Sequence, residues 1–229
     1  MRIFNVDKLI ADELEKNILV DCLPSYKHLK STAPNYNYNN KSTTAGGIDI
    51  VNVQGFTNPI YTYTRHFPLY GKYEDMVSKI NTPLISETSC LTKLIFGLRD
   101  QYLDSTYDII RVYMNLMTIG TRYGVLDPHP DIENEPDAVT FLYYVNDSDG
   151  DTFIFNELED KIMFRYTPTK GTGIIYPSGA IHAASVPMKH EVRSALNIIY
   201  CKDFFQRRGQ KIYNEYVRRT NKINKQHSK

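Results

Sequence analysis

AVTFLYYVN (138–146), DTFIFN (151–156), KIMFRYT (161–167), TGIIYP (172–177), IHAASV (181–186) and SALNIIY (194–200) follow one another at intervals of roughly ten residues. Each alternates or runs apolar over a strand's length. Between them stand turn signals: Asn146-Asp147-Ser148-Asp149-Gly150, Gly171 and Ser178-Gly179. YDIIRVYMNL (107–116) precedes the series with the same period of two. No long helical pattern separates these segments, so the sheet they form is expected to be antiparallel. The fold class that follows is mainly β, α+β overall: a double-stranded β-helix (jelly roll) with N-terminal supporting helices and a C-terminal helix.

Working outward, residues 1–106 read as α/β support for the jelly-roll core at 107–201. Val6, Leu9, Ile10 and Leu14 recur at helical spacing, which predicts a helix over 5–17. Ile18-Leu19-Val20 reads as the start of a strand. Residues 25–47 are polar and rich in Asn, Ser and Thr, a long surface loop with the alternative role of a lid. Strands are expected at 48–53 and 60–68 and a short helix at 73–81. The clearest helix is at 87–103, with Leu91, Leu94, Ile95, Leu98 and Tyr102 on one face and Ser86 or Thr88 as cap. No boundary isolates these elements, so 1–229 is read as one domain.

Residues 202–229 hold nine Lys/Arg against two acidic residues. They read as a docked basic helix with Phe205, Ile212, Tyr216 and Ile223 facing inward, or as a patch for an acidic partner or nucleic acid. The chain as a whole carries a formal net charge of +1, which gives no global field for a polyanion. Its three cysteines, Cys22, Cys90 and Cys201, are far apart and form no CxxC, the pattern of reduced thiols. The acidic, amphipathic N-terminus is not a signal peptide, and no apolar run has the length of a membrane span. The expectation is a cytoplasmic protein, or an intracellular one of viral origin, without membrane attachment.

His129-Pro130-Asp131 carries the first chemical signal. On an extended chain, residues two apart present side chains to the same face. His182, from another predicted strand, completes two imidazoles and one carboxylate, the set associated with non-haem Fe(II) and open coordination positions. Arg193 leads into an apolar strand, where a guanidinium needs an anionic partner; a carboxylate-bearing cosubstrate would supply it. Each residue has a plainer reading: His129 in an exposed turn, His182 as a buried histidine bonded to backbone, Arg193 paired with Glu191.

In order, HPD, VTFLYYVN, GDTFIF, KGTGIIYPSGAIHAASV and VRSALNIIY resemble the prolyl-4-hydroxylase-like branch of the 2-oxoglutarate- and Fe(II)-dependent dioxygenases, over about residues 107–201. The resemblance implies iron ligation, and hence catalysis, by His129, Asp131 and His182. It implies that Arg193 and Tyr144 bind the distal carboxylate of 2-oxoglutarate, with Asn197 adding a hydrogen bond and Tyr113 and Asn115 lining the site. It implies Fe(II), 2-oxoglutarate and O₂ as cofactors, with ascorbate in support, and a prolyl residue of a peptide or protein as substrate. Two features depart from that pattern. The double-glycine turn reads Asp149-Gly150-Asp151-Thr152, and the His182–Arg193 gap is long, which makes Lys189 a rival anchor. Two other functions remain open: a same-fold oxygenase acting on a nucleic acid or small molecule, and a non-catalytic jelly-roll binding protein.

Overall fold

Nearly continuous apolar runs bury both faces of the strands Ala138–Tyr144 and Val192–Lys202, while alternation over Tyr107–Thr118 buries one face more than the other, and the layers follow from that. The structure, a computed structural model, describes residues 1–21, 27–29, 44–51, 55–62 and 90–209. In chain order the strands are β1 (Arg2–Asn5), β2 (Lys27–Leu29), β3 (Thr44–Ala45), β4 (Ile48–Asp49), β5 (Gly55–Thr62), β6 (Tyr107–Thr118), β7 (Ala138–Tyr144), β8 (Thr152–Phe155), β9 (Ile162–Tyr166), β10 (Thr172–Pro177), β11 (His182–Ala184) and β12 (Val192–Lys202). The helices are α1 (Lys8–Lys16) and α2 (Cys90–Tyr102); residues 204–209 are also helical. Seven strands form one sheet in the order β1-β10-β7-β12-β6-β5-β2, and three form a second, β11-β8-β9. Every pairing between these strands is antiparallel. The two facing sheets are the jelly roll.

The outer face of the large sheet carries Val112, Met114, Phe141, Tyr143, Leu196 and Ile198. Against it lie Leu14 and Ile18, and Leu91, Leu94, Ile95 and Leu98 of α2. The Tyr200 hydroxyl donates to the Ile95 carbonyl at 2.6 Å, tying β12 to α2. The inner face turns Leu142, Tyr144, Ile174, Tyr176 and Ala195 toward Ile154 of the small sheet. The site lies on this inner face.

The N-terminal segment departs from the periodicity reading in three ways. Arg2–Asn5 is a strand that pairs with β10. Ile18-Leu19-Val20 is not a strand: Asn17–Asp21 continues α1 as a π-helical turn, because Ile18 packs beside Leu14 in the core. The buried side of α1 is Ala11 and Leu14, while Leu9 is 78 % exposed. Leu14→Ala is therefore expected to cost about 2–5 kcal/mol, and Leu9→Ala within about 0.5 kcal/mol of nothing. Urea denaturation compares them, and equal losses would refute the assignment of the buried face.

Strand β4 is shorter than the expected 48–53, and Ile50 instead bridges Val125. β5 spans Gly55–Thr62, so residues 60–62 of the strand expected at 60–68 lie in it and 63–68 lie outside the described residues. The helix expected at 73–81, most of the 25–47 loop and the caps Ser86 and Thr88 lie outside the described residues, as do Ile212, Tyr216 and Ile223. In the basic segment the buried aromatic is Phe204, at 4 % exposure. Cys201 is a buried free thiol. Among the described residues no helix is long and apolar enough to cross a membrane.

Candidate active site

The two histidines meet as a cross-strand pair. His129 and His182 exchange both backbone hydrogen bonds, each 3.1 Å, so their side chains project together, with ring centroids 5.0 Å apart. Each Nδ1 faces the carbonyl two residues back: His129 that of Asp127 at 2.8 Å, His182 that of Ala180 at 3.0 Å. A carbonyl only accepts, so both rings carry their proton on Nδ1 and present the Nε2 lone pair. Burial lowers the pKa of His182 in spite of the neighbouring Asp131, which leaves it neutral at pH 7. His129 is exposed and stands at the mouth of a cleft of about 660 Å³.

Asp131 is placed by its own amide, which donates to the Ser178 carbonyl at 2.9 Å. Its Oδ1 receives Arg111 Nη2 and, at 2.9 Å, Asn197 Nδ2. Its Oδ2 receives the hydroxyls of Thr140 at 2.8 Å and Tyr176 at 3.1 Å, and lies 3.7 Å from His182 Nε2. Burial works to raise this carboxyl. Charge from His182 and Arg111 and the bonds from Thr140 and Asn197 outweigh it and hold the pKa below the usual carboxylate range. Because His182 is neutral near pH 7, Arg111 is the cation that acts there. The donor types suit a divalent ion such as Fe(II). Among the described residues, however, no three His, Cys, Asp or Glu side chains converge closely enough in this conformation to enclose an ion. His182 approaches both partners, while the Asp131 carboxylate is engaged by the strands behind it.

Arg193 occupies a separate pocket and is 4 % exposed. Its Nε donates to the Gly150 carbonyl and its Nη2 to Thr152 Oγ1, each at 2.8 Å. The Tyr144 hydroxyl reaches the same Thr152 oxygen at 2.8 Å, and the guanidinium carbon lies 5.6 Å from the Tyr144 ring centre. Burial pushes the Tyr144 hydroxyl up to about 12, so it remains a donor. No carboxylate pairs with Arg193 among the described residues. Asp151, which acts on it electrostatically, is already bound by Arg165 and Thr167, each at 2.6 Å. Glu191 and Lys189 are exposed, and among the described residues Glu191 forms no ion pair with Arg193.

The two departures from the family pattern prove to be one feature. The Asp149 carboxylate accepts the backbone amides of Met188, Lys189 and His190 at 3.0–3.2 Å, and His190 Nδ1 lies 2.9 Å away. The acid standing where the resembled pattern has its first glycine thus ties down the segment between His182 and Arg193. Gly150 cannot be replaced in the same way: a Cβ there would meet Arg193 Cδ and the Ser185 carbonyl at 2.8 Å. Burial works to raise the Asp149 pKa, but His190 and the three amides depress it strongly. A depressed folded-state pKa means full stabilisation above the unfolded value of about 3.9, lost as pH falls below it. Asp149→Ala is expected to cost about 1–3 kcal/mol at pH 7 and much less at about pH 2. Denaturant titration at both pH values checks this; an unchanged penalty would show that the charge is not the cause.

Several site residues were not anticipated from the sequence. Arg111 and Tyr176 contact Asp131, and Thr152 joins Tyr144 to Arg193. Arg111 is two residues before Tyr113 and so shares its strand face, a signal present in the sequence; its guanidinium lies 5.1 Å from the Tyr113 ring centre. Asn197 was expected beside the cosubstrate anchor but is bonded to Asp131. Asn115 lies on β6, opposite Ala195 of β12.

No family model matches the sequence, and no curated protein does. Solved structures do. A prolyl hydroxylase from Trichoplax adhaerens, in complex with a hypoxia inducible factor peptide fragment, aligns with TM-score 0.51 and 14% identity over 88% of this chain and 83% of that one. HygX from Streptomyces hygroscopicus, with nickel, 2-oxoglutarate and hygromycin B bound, gives 0.50 and 9% over 88% and 82%. The epimerase SnoN, in complex with Fe3+, alpha ketoglutarate and nogalamycin RO, gives 0.50 and 12% over 87% and 78%. The chain shares its jelly-roll fold with 2-oxoglutarate- and Fe(II)-dependent oxygenases.

Proposed function

We propose that the chain is a 2-oxoglutarate- and Fe(II)-dependent oxygenase that hydroxylates a C–H bond, with a prolyl residue of a peptide or protein as its substrate. The observation that carries this is the cross-strand pair His129–His182, both Nε2 lone pairs free, beside an ionised Asp131. These three would hold the metal, with a side-chain rotation of Asp131 or His129 closing the set. Bound there, Fe(II) supplies the redox chemistry that couples decarboxylation of the oxo acid to oxygen insertion, with O₂ as oxidant and ascorbate in support.

The chain's own groups do the rest. Arg111 and Asn197 hold Oδ1 of Asp131, and Thr140 and Tyr176 hold Oδ2, the atom nearer His182, so ligation through Oδ2 would displace one of those two hydroxyls. Arg193, with Tyr144 and Thr152, presents donors to the far carboxylate of the oxo acid, where a buried guanidinium lacks an anion. The apolar inner wall of Leu142, Ile154, Ile174 and Tyr176 keeps water away from the space between. The peptide reading is supported by the likeness to a prolyl hydroxylase solved with a peptide. Succinate formation with and without added Fe(II) tests the class; proline-containing peptides followed for added oxygen mass test the substrate. No Fe(II)-dependent succinate removes the class, and oxidation only of free amino acids or nucleobases removes the prolyl assignment.

A further inference from the structure

The cleft that opens beside His129 has a character of its own. Its lining is partly apolar and proline-rich, with Pro128, Pro130, Ile132, Pro136, Pro177 and Ile181. Four carboxylates, Asp127, Glu133, Glu135 and Glu159, line it too, and among the described residues no Lys or Arg does. Glu135 already receives two guanidinium groups, Arg207 at 3.7 Å and Arg208. The other three carboxylates form no ion pair among the described residues. Asp127 has a buried Oδ1 with no hydrogen-bond partner among the described residues. Glu159 is fixed on the far side by the β8–β9 turn: its amide donates to the Asn156 carbonyl at 3.0 Å and its carbonyl accepts from Gly46 at 2.8 Å.

We infer that this cleft binds an extended cationic peptide, with Lys or Arg side chains flanking the residue presented to His129. The inference rests on the oxygenase reading for what happens at His129, but the binding itself does not require it. Apolar walls suit a flat pyrrolidine or aliphatic side chain, and the carboxylates select its neighbours by charge. Arg207 and Arg208 of the basic segment are taken up by Glu135, and the three carboxylates left over repel phosphates, so a nucleic acid is disfavoured in this cleft.

The test uses fluorescein-labelled twelve-residue peptides, each with one central proline flanked by lysines or by glutamates, and fluorescence anisotropy on the full chain with Mn(II) and 2-oxoglutarate present. The lysine peptide is expected to bind at least about tenfold more tightly than the glutamate peptide at low salt, with the preference shrinking as ionic strength rises. The double variant Glu133→Lys/Glu159→Lys is expected to lose most of that preference, and its thermal melt shows whether it is folded. In parallel, Asp127→Asn keeps the shape of the side chain, and a several-fold weaker hold on the lysine peptide is expected. Equal binding of the two peptides, a preference that survives both variants, or tighter binding of a labelled oligonucleotide would overturn the inference. Succinate assays on the unaltered chain are scored separately: charge-selective peptide binding without Fe(II)-dependent succinate would remove the oxygenase reading and leave the peptide cleft standing.

Discussion

Asp131→Ala is expected to abolish Fe(II)-dependent succinate formation and to weaken binding of Co(II), used as a spectroscopic substitute, by at least about 100-fold. The carboxylate is the sole anion of the proposed donor set, and both imidazoles are neutral ligands, so its loss removes the charge that favours a divalent ion over a proton or water. The variant also strips Arg111 of its anion. A fully buried pair broken on one side costs about 3–5 kcal/mol; Arg111 is 21% exposed along its side chain, so a smaller loss, about 1–3 kcal/mol, is expected here. A melt therefore has to accompany the titration. His129→Ala separates the two effects. His129 is exposed; alanine keeps its backbone tie to His182 and loses the Nδ1 bond to the Asp127 carbonyl. Its stability is expected to stay near that of the wild type while Co(II) affinity falls as for Asp131→Ala. Unchanged Co(II) affinity in a folded His129→Ala protein would remove the cross-strand pair from the metal, and with it the main support for the proposed class.

How much of this could be read from the chain alone depended on the range over which each signal acts. The strands from Tyr107 to Lys202 were legible because a period of two is local and is reinforced on both faces. α2 was legible because four large apolar residues fall on one stripe. α1 was half legible: the helix was found, but its buried face was misread, since Ala11 is small and Leu9 and Ile10 are large yet turned outward. Ile18 to Val20 looked like a strand because their β-branched and apolar side chains favour one, and packing beside Leu14 overrode that preference. In the site, His129, Asp131, His182 and Arg193 stood out by type and order. The residues that hold them did not, because they depend on register. Arg111 reaches Asp131 only because β6, β12 and β7 lie side by side, with Ile199 facing Arg111 on one side and Thr140 on the other. The exchange of a glycine for Asp149 and the longer approach to Arg193 looked like two irregularities. Only the hydrogen bonds between them show that the two are parts of one structural feature.

Arg193→Met is expected to raise the KM for 2-oxoglutarate by about 100-fold or more, with a matching loss of affinity in calorimetric titration of the oxo acid onto the Mn(II)-loaded chain. Hydrogen bonds to a charged group are worth about 1.5–3 kcal/mol each, so losing a two-pronged contact to a carboxylate costs two or more factors of ten. Methionine retains most of the buried stem, which limits the cavity, although the Gly150 carbonyl and Thr152 hydroxyl lose a donor. Arg193→Lys tests the fork itself: the charge remains, but a single ammonium cannot reproduce planar donors already directed by Gly150 and Thr152, and an intermediate KM is expected. Lys189→Ala should leave the KM unchanged, because that side chain is in solvent. The buried guanidinium stays charged at pH 7 even though burial lowers its pKa, and the proposed cosubstrate carboxylate would offset its desolvation. If Arg193→Met retains wild-type affinity for 2-oxoglutarate while Lys189→Ala loses it, the pocket around Tyr144 and Thr152 is structural and the cosubstrate lies with the exposed loop instead.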